Sequence, residues 1–292
     1  MYVKELWRYP VKSMRGEPLT EADVGVGGTA GDRLVHVENE RGLVTARTHP
    51  GLLGLRATMR EDGVTLVEGE PWWHPRIGDL VKEAAGPTGH LVAADGPERF
   101  DVLPLLVATD GAIAAFGRDG RRLRPNIIVG GVEGLAERTW EGLGMMIGPV
   151  GVYLDSLRAR CVMTSYDPDS LEADRAVVRD IYRRFGGTLA LNTAVLRPGT
   201  VRLGDAVRVL DARETLALRR EAPRRTRPGE CADRKGLLLP GIDRELVVVC
   251  SLHRCSRNVG QARTVDGGVR AGFRLQFPIR DLECPAVLPI DQ

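Results

Sequence analysis

The segment LRARCVMTSYDPD, residues 157 to 169, sets a single cysteine, Cys161, directly behind Arg158 and Arg160. A free cysteine is most often a small buried hydrophobe, but positive charge beside it favours the thiolate that a nucleophile or a soft metal requires. No second Cys or His stands at zinc-like spacing around it, which argues against a tetrahedral structural zinc site. A metal held by Cys161 would take most of its other ligands from a cofactor.

Three more segments carry groups suited to an anion. In YPVKSMRG, Tyr9 to Gly16, Lys12 and Ser13 follow a strand on a turn that ends in glycine, so one charge, one hydroxyl and free backbone amides can meet a phosphate. GDRLVHVENERGLVTAR holds Asp32, Arg33 and Arg47; the planar forks of the two arginines suit a phosphate or carboxylate, with an ordinary Arg–Asp surface pair as the plain alternative. In RLRPNIIVGG, Arg124 and Asn126 flank Pro125, whose fixed φ stiffens the entry to a strand. Farther on, Cys250 and Cys255 are spaced C-x4-C with Cys284 at a distance, but the third position of the plant-type iron–sulfur pattern is Asn258. A [2Fe–2S] cluster is therefore not expected. The sequence also lacks G-x-S-x-G, a P-loop, a G-x-G-x-x-G behind a strand and H-E-x-x-H, so the common hydrolase, nucleotide-binding and zincin readings find no support.

These groups must be positioned by short strands. Of 292 residues, 35 are glycine and 18 proline while aromatics make up 5%, a composition that turns often. From residue 1 to about 95, brief runs such as RLVHVEN and GVTLVEG alternate at period two, which predicts a small antiparallel sheet or barrel nearly free of helix. VLPLLVATDGAIAAFG reads as a buried strand running into a short helix capped by Thr109 or Asp110. DSLEADRAVVRDIYRRFGG reads as the strongest helix, with Leu171, Val178, Ile181 and Phe185 on one face and a glycine stop. Trp72 and Trp73 beside His74 read as packing at a sheet edge. RREAPRRTRPGE reads as a solvated basic linker, and ELVVVCSLHRC beyond it as part of a small appendage.

The net charge of +2 argues against a general attraction to nucleic acid, and an RNA-binding role for the basic stretch 219–227 is correspondingly disfavoured. No run approaches the roughly 18 apolar residues of a membrane span, and five irregularly spaced cysteines suit a reducing compartment. The expected location is the cytoplasm.

Taken in order, LWRYPVKSMRGEPL, GDRLVHV, VTARTHPGLL, LRPNIIVGG, RTWEGLGMMIG, RARCVMTSYDPDS and RPGTVRLGDAV resemble the MOSC family, the domain shared by molybdenum cofactor sulfurases and the mitochondrial amidoxime reducing component, with its N-terminal β-barrel partner domain. The resemblance covers about residues 1 to 211. It implies a mainly β chain with a few helices (α+β): an N-terminal MOSC β-barrel domain over 1–95 packed on a MOSC domain over 96–211, then a basic linker over 212–230 and an appendage over 231–292.

The resemblance also implies a molybdopterin site. By position in the motifs, Cys161 would be the metal ligand and catalytic centre, Lys12, Ser13 and Arg33 would hold the cofactor from the first domain, and Arg124 and Asn126 from the second, with Asp101 at the family's acidic position. The sequence departs from the family pattern where Ala159, Val102 and Leu103 replace expected hydroxyl residues, and where Leu34 and Val35 replace the aromatic usual after Asp32–Arg33. The implied function is a molybdenum-dependent oxidoreductase that reduces N-hydroxylated or N-oxygenated small molecules with electrons from a separate carrier protein. The alternative is a non-catalytic cofactor carrier or sulfur-transfer module using Cys161. The chain has no room for the pyridoxal-phosphate domain of the full sulfurases, so pyridoxal phosphate is not an expected cofactor.

Overall fold

The computed structural model describes residues 1–94, 96 and 99–222. The cysteine pattern of the tail, the appendage and most of the basic stretch lie outside the described residues. The chain opens with strands β1 (Tyr2–Arg8), β2 (Glu17–Leu19), β3 (Glu21–Gly25), β4 (Gly28–Thr29), β5 (Val35–Asn39), β6 (Gly42–Val44), β7 (Ala57–Met59), β8 (Thr65–Val67) and β9 (Glu70–Pro71). Helix α1 (Pro75–Ala85) and β10 (His90–Ala93) follow. The second half runs β11 (Leu105–Thr109), α2 (Asp110–Phe116), β12 (Ile127–Gly130), β13 (Gly144–Ile147), β14 (Val150–Ala159), α3 (Arg175–Phe185), β15 (Thr188–Arg197), β16 (Gly199–Arg202), β17 (Val207–Val209) and α4 (Ala212–Glu221).

Eight strands form one sheet in the order β17-β13-β14-β15-β11-β12-β1-β2, and three small antiparallel sheets complete the strand set among the described residues. The first strand of the chain therefore pairs not with its sequence neighbours alone but with β12, and β3 pairs with β16. Val3, Leu6 and Val24 share a core with Val107, Ile127, Val152 and Leu191. Burying each such aliphatic side chain is worth about 1.5–3 kcal/mol. A separate core, built from Val11, Val35, Val37, Leu52, Ile77 and Val81, lies in the N-terminal part, with Met163 of the second half packed against it. The first strands are stitched into the large sheet across the expected cut at residue 95: a register shift between Val3 and Glu5 breaks the strict alternation of YVKELWR, so that Val3 and Leu6, three residues apart, are both buried.

Three expectations are corrected. The N-terminal part contains an 11-residue helix, α1, in which Ile77, Val81 and Ala85 recur at intervals of four and are buried; His74 caps it, Nδ1 accepting from the Arg76 amide, and Pro75 begins it. Helix α3 starts only at Arg175, with Asp174 as its cap, so Val177 rather than Val178 is buried beside Ile181 and Phe185, and Leu171 lies outside the helix with φ +61°. The expected linker from 212 opens with helix α4, because Asp211 and Glu214 form a reciprocal capping box and Leu218 buries itself against Gly144 and Gly151. Thr109 caps α2 as expected, its hydroxyl accepting from the Ala112 amide at 3.1 Å. Trp72 packs on the N-terminal core and meets Trp73 edge to face, while Trp73 is itself exposed.

Candidate functional site

The sheet register lays a row of backbone neighbours across its middle. Ser156 pairs with Asn192, Asn192 with Leu106, the Leu106 carbonyl accepts from the Asn126 amide, and the Asn126 carbonyl from that of Trp7. The side-chain amides of Asn192, in β15, and Asn126, just ahead of β12, thus line one cleft with Leu106 between them. Asn126 is nearly inaccessible; its Oδ1 accepts from the Leu106 amide at 3.1 Å and its Nδ2 donates to the Trp7 carbonyl at 3.4 Å. Its first task is to tie β1, β11 and β12 together at the floor of the cleft. An amide has two N–H donors, so one remains for a ligand.

All seven residues predicted from the sequence, Lys12, Ser13, Arg33, Asp101, Arg124, Asn126 and Cys161, line this one cleft of about 840 Å³ counted out to its open mouth. Three of them, Ser13, Arg33 and Arg124, have left-handed backbone conformations, with φ of +71°, +52° and +55°. Such a conformation costs a non-glycine residue about 1–3 kcal/mol and persists only where the surroundings fix it. Here they do: the Ser13 hydroxyl accepts from the Ala46 amide at 3.1 Å, the Arg33 amide donates to the Tyr9 carbonyl at 2.8 Å, and the Arg124 amide closes a 3₁₀ turn onto the Arg121 carbonyl at 3.0 Å. The residue before a proline is also barred from the right-handed helical region, which suits Arg124 ahead of Pro125.

The electrostatics are lopsided. Asp101 is the single carboxylate residue in the described lining, against seven basic ones. Its Oδ1 meets Lys12 Nζ at 3.1 Å, and its Oδ2 meets Arg47 Nη2 at 2.7 Å and Arg158 Nη2 at 2.8 Å. Burial works to raise the Asp101 pKa, but Lys12, Arg47 and Arg158 outweigh it and hold the carboxyl below its ordinary range. Burial lowers the Lys12 pKa, and the neighbouring Asp101 only partly restores it. Arg33 pairs with buried Asp32, and Arg122 with Asp167 at 2.9 Å. Three carboxylates thus serve seven cations, leaving a surplus of four positive charges around the cleft.

Arg124 and Arg160 make the surplus concrete. Burial strips water from both guanidinium groups and pulls each pKa down to about 10. Arg160 donates to the Leu123 carbonyl at 2.7 Å, yet among the described residues its Nε has no partner, and neither has Nη2 of Arg124. Buried donors without acceptors are costly, and an anion in the cleft would lessen that cost. Cys161 sits just past the end of β14, half-buried, in the same lining as Arg47. Burial lowers the Arg47 pKa, but Asp101 and Cys161 together more than offset this.

Several members of the cleft were not picked out as site residues from sequence: Thr45, Phe100, Arg122 and Asn192. Their positions are far apart in the chain, and in so arginine-rich a sequence no single arginine carries a signal. The aromatic missing after Asp32–Arg33 has a spatial replacement: Arg33 lies against the rings of Tyr9, at 5.3 Å, and Phe100, at 5.8 Å. At the positions expected to carry hydroxyls, Ala159 and Leu103 line the cleft and Val102 is exposed.

The comparison with protein families decides what this arrangement belongs to. The MOSC N-terminal beta barrel domain matches residues 1–77 and the MOSC domain matches residues 114–208. The chain belongs to the MOSC family. Among curated relatives of this MOSC protein, mitochondrial amidoxime-reducing component 1 of Homo sapiens is 25% identical over 71% of the chain and 82% of its own length. Mitochondrial amidoxime reducing component 2 of Macaca fascicularis is 26% identical over 63% and 72%. Among solved structures, the YUAD protein from Bacillus subtilis is 15% identical with a TM-score of 0.38, covering 71% of this chain and 93% of that one. Among the described residues of the MOSC chain, no helix is long and apolar enough to cross a membrane.

Proposed function

We propose that this MOSC chain is a molybdenum-cofactor oxidoreductase that reduces N-hydroxylated or N-oxygenated small molecules, drawing electrons from a separate carrier protein. The observation that carries this reading is the cationic surplus focused on one half-buried cysteine, with buried guanidinium nitrogens of Arg124 and Arg160 left without acceptors among the described residues. A phosphate-bearing cofactor would supply those acceptors, and a thiolate suits a metal already bound by sulfur. The kinship with amidoxime-reducing components supports the substrate class.

In this reading Lys12, Ser13, Arg33 and Arg124 hold the anionic end, Asn126 and Asn192 offer amides to the ring system, and Cys161 ligates the metal. Bound there, the cofactor supplies two-electron reduction, and cleavage of an N–O bond consumes two electrons and two protons and releases water. The protein's own contributions are positional. Arg47 sets a positive charge near the Cys161 sulfur, Asp101 spaces Arg47, Arg158 and Lys12 so that they do not repel one another out of the cleft, and the stitched β1 fixes the two halves of the wall. The open mouth admits a small substrate.

The reading is tested by mixing protein produced in a cofactor-synthesising host with benzamidoxime and a chemical one-electron reductant. Formation of benzamidine that requires Cys161 supports it; no benzamidine from protein shown to carry molybdenum would refute the reductase assignment.

A further inference from the structure

Behind the cofactor cleft lies a second cavity that the reading above does not use. The two share the wall formed by Arg122, Arg124 and Met163. The second is also about 840 Å³ counted to its mouth, within the range of small-molecule sites. Its remaining lining pairs cations with flat apolar surface: Arg15 and Arg56 on one side, Trp7 and Tyr166 among the rest, and no carboxylate among the described lining residues.

The arginines are not equivalent. Arg121 is held in a double fork by Asp119 and Asp169, and Arg122 by Asp167 and two carbonyls. Arg15 and Arg56 are set side by side by a parallel backbone bridge. Among the described residues, Arg15 is ion-paired only with Asp169 at 3.9 Å, too long for a hydrogen bond, and its buried Nε has no partner. The Arg56 side chain is exposed at the mouth and makes no ion pair among the described residues.

We propose that this second cavity binds a planar aromatic acid, its ring lying on the apolar lining beside Trp7 and Tyr166 and its carboxylate taken by Arg15 and Arg56. The two halves of the lining need different parts of such a ligand. A bare inorganic anion would leave the aromatic surface unused, a neutral arene would leave the guanidinium groups unanswered, and an aromatic cation would be repelled. Guanidinium forks match a carboxylate in geometry, and arginine stacks on flat π systems. Because the wall is shared, a ligand here touches Arg122 and Arg124 from the side opposite the cofactor cleft.

The test is calorimetric titration of the full-length protein, without added cofactor, with 2-naphthoate, 2-naphthamidine and inorganic phosphate, beside the variants Arg56→Gln and Lys12→Gln. Arg56 is a surface residue, so its replacement leaves the fold intact, and Lys12 belongs to the cofactor cleft alone. The expected result is saturable binding of naphthoate, none of naphthamidine, a loss of at least fivefold in naphthoate affinity with Arg56→Gln and no loss with Lys12→Gln. Absence of saturable naphthoate binding, equal binding of naphthamidine, or naphthoate binding that is lost with Lys12→Gln and kept with Arg56→Gln would overturn the proposal. Neither set of outcomes depends on whether the chain carries molybdenum.

Discussion

The Arg124 guanidinium lies over the ring of Tyr9, its Cζ 4.3 Å from the ring centroid, and the Tyr9 hydroxyl donates at 3.2 Å to the carbonyl of Pro125, the residue after Arg124. Arg33 approaches the same ring at 5.3 Å. One tyrosine therefore contacts two of the cations that line the cationic cleft. Burial pushes its pKa up to about 12, so the hydroxyl keeps its proton and remains a donor. Cation–π contacts of this kind are worth about 0.5–2 kcal/mol each when desolvated.

Replacing Tyr9 separates the two roles. Tyr9→Phe loses the hydroxyl contact and is expected to cost about 1 kcal/mol in urea unfolding while phosphate affinity stays within twofold of wild type. Tyr9→Leu loses the stacking surface as well, and phosphate affinity should fall severalfold, read by calorimetry. Equal anion affinity in Tyr9→Leu and wild type would show that the ring does not position the arginines.

Arg124 should trade stability for binding. Its folded pKa of about 10 lies below the ordinary arginine value of 12.5, so the charged form is disfavoured in the fold at every pH below about 10, and that cost lessens only as pH rises from about 10 toward 12.5. Arg124→Met removes this cost along with the contact to Tyr9, and net stability is expected to change by less than about 1 kcal/mol. Anion affinity should fall about tenfold or more, since hydrogen bonds to charged groups contribute about 1.5–3 kcal/mol. A large loss of stability without loss of binding would contradict this.

Asp101 holds the cations of the cleft together in the absence of ligand. Its carboxyl is depressed in the folded chain, so the stability it contributes is present above the unfolded carboxylate value of about 3.9 and disappears as pH falls through the lower folded value. Asp101→Asn leaves Lys12, Arg47 and Arg158 without their shared counter-ion, and is expected to destabilise the protein at pH 7 by about 1–3 kcal/mol. Added phosphate should restore more stability to this variant than to wild type. Thermal melts across pH 3 to 7, with and without phosphate, check both points.

Helix α4 makes a structural prediction outside the site. Asp211→Ala removes one arm of its capping box and should cost about 1 kcal/mol, whereas Leu218→Ala, by emptying a buried position beside Gly144 and Gly151, should cost about 2–5 kcal/mol. A free linker would show neither effect.

The sequence exposed the site better than the scaffold. Lys12, Ser13, Arg124, Asn126 and Cys161 each stand in a short segment whose residue types point to anion or metal chemistry, and the structure gathers them around one cleft. What could not be read was which arginines among so many would meet, since Arg47, Arg122 and Arg158 are brought together by long-range pairing. Helices α1 and α4 did leave signals: Ile77, Val81 and Ala85 at steps of four, and the D-x-x-E box at Asp211. The surrounding glycines, prolines and arginines masked them. The stitching of β1 onto β12 had no local signal, because strand pairing across 120 residues leaves no mark in either segment.

The central claim is that Cys161, within this cationic cleft, holds a molybdenum cofactor. The most direct test is the molybdenum content, by mass spectrometry, of the full chain produced in a host that makes the cofactor, beside Cys161→Ala prepared identically. Near-stoichiometric molybdenum in the wild type that is lost in the variant is the predicted result. Molybdenum absent from both, or retained equally by both, would contradict the assignment of Cys161 as the ligand.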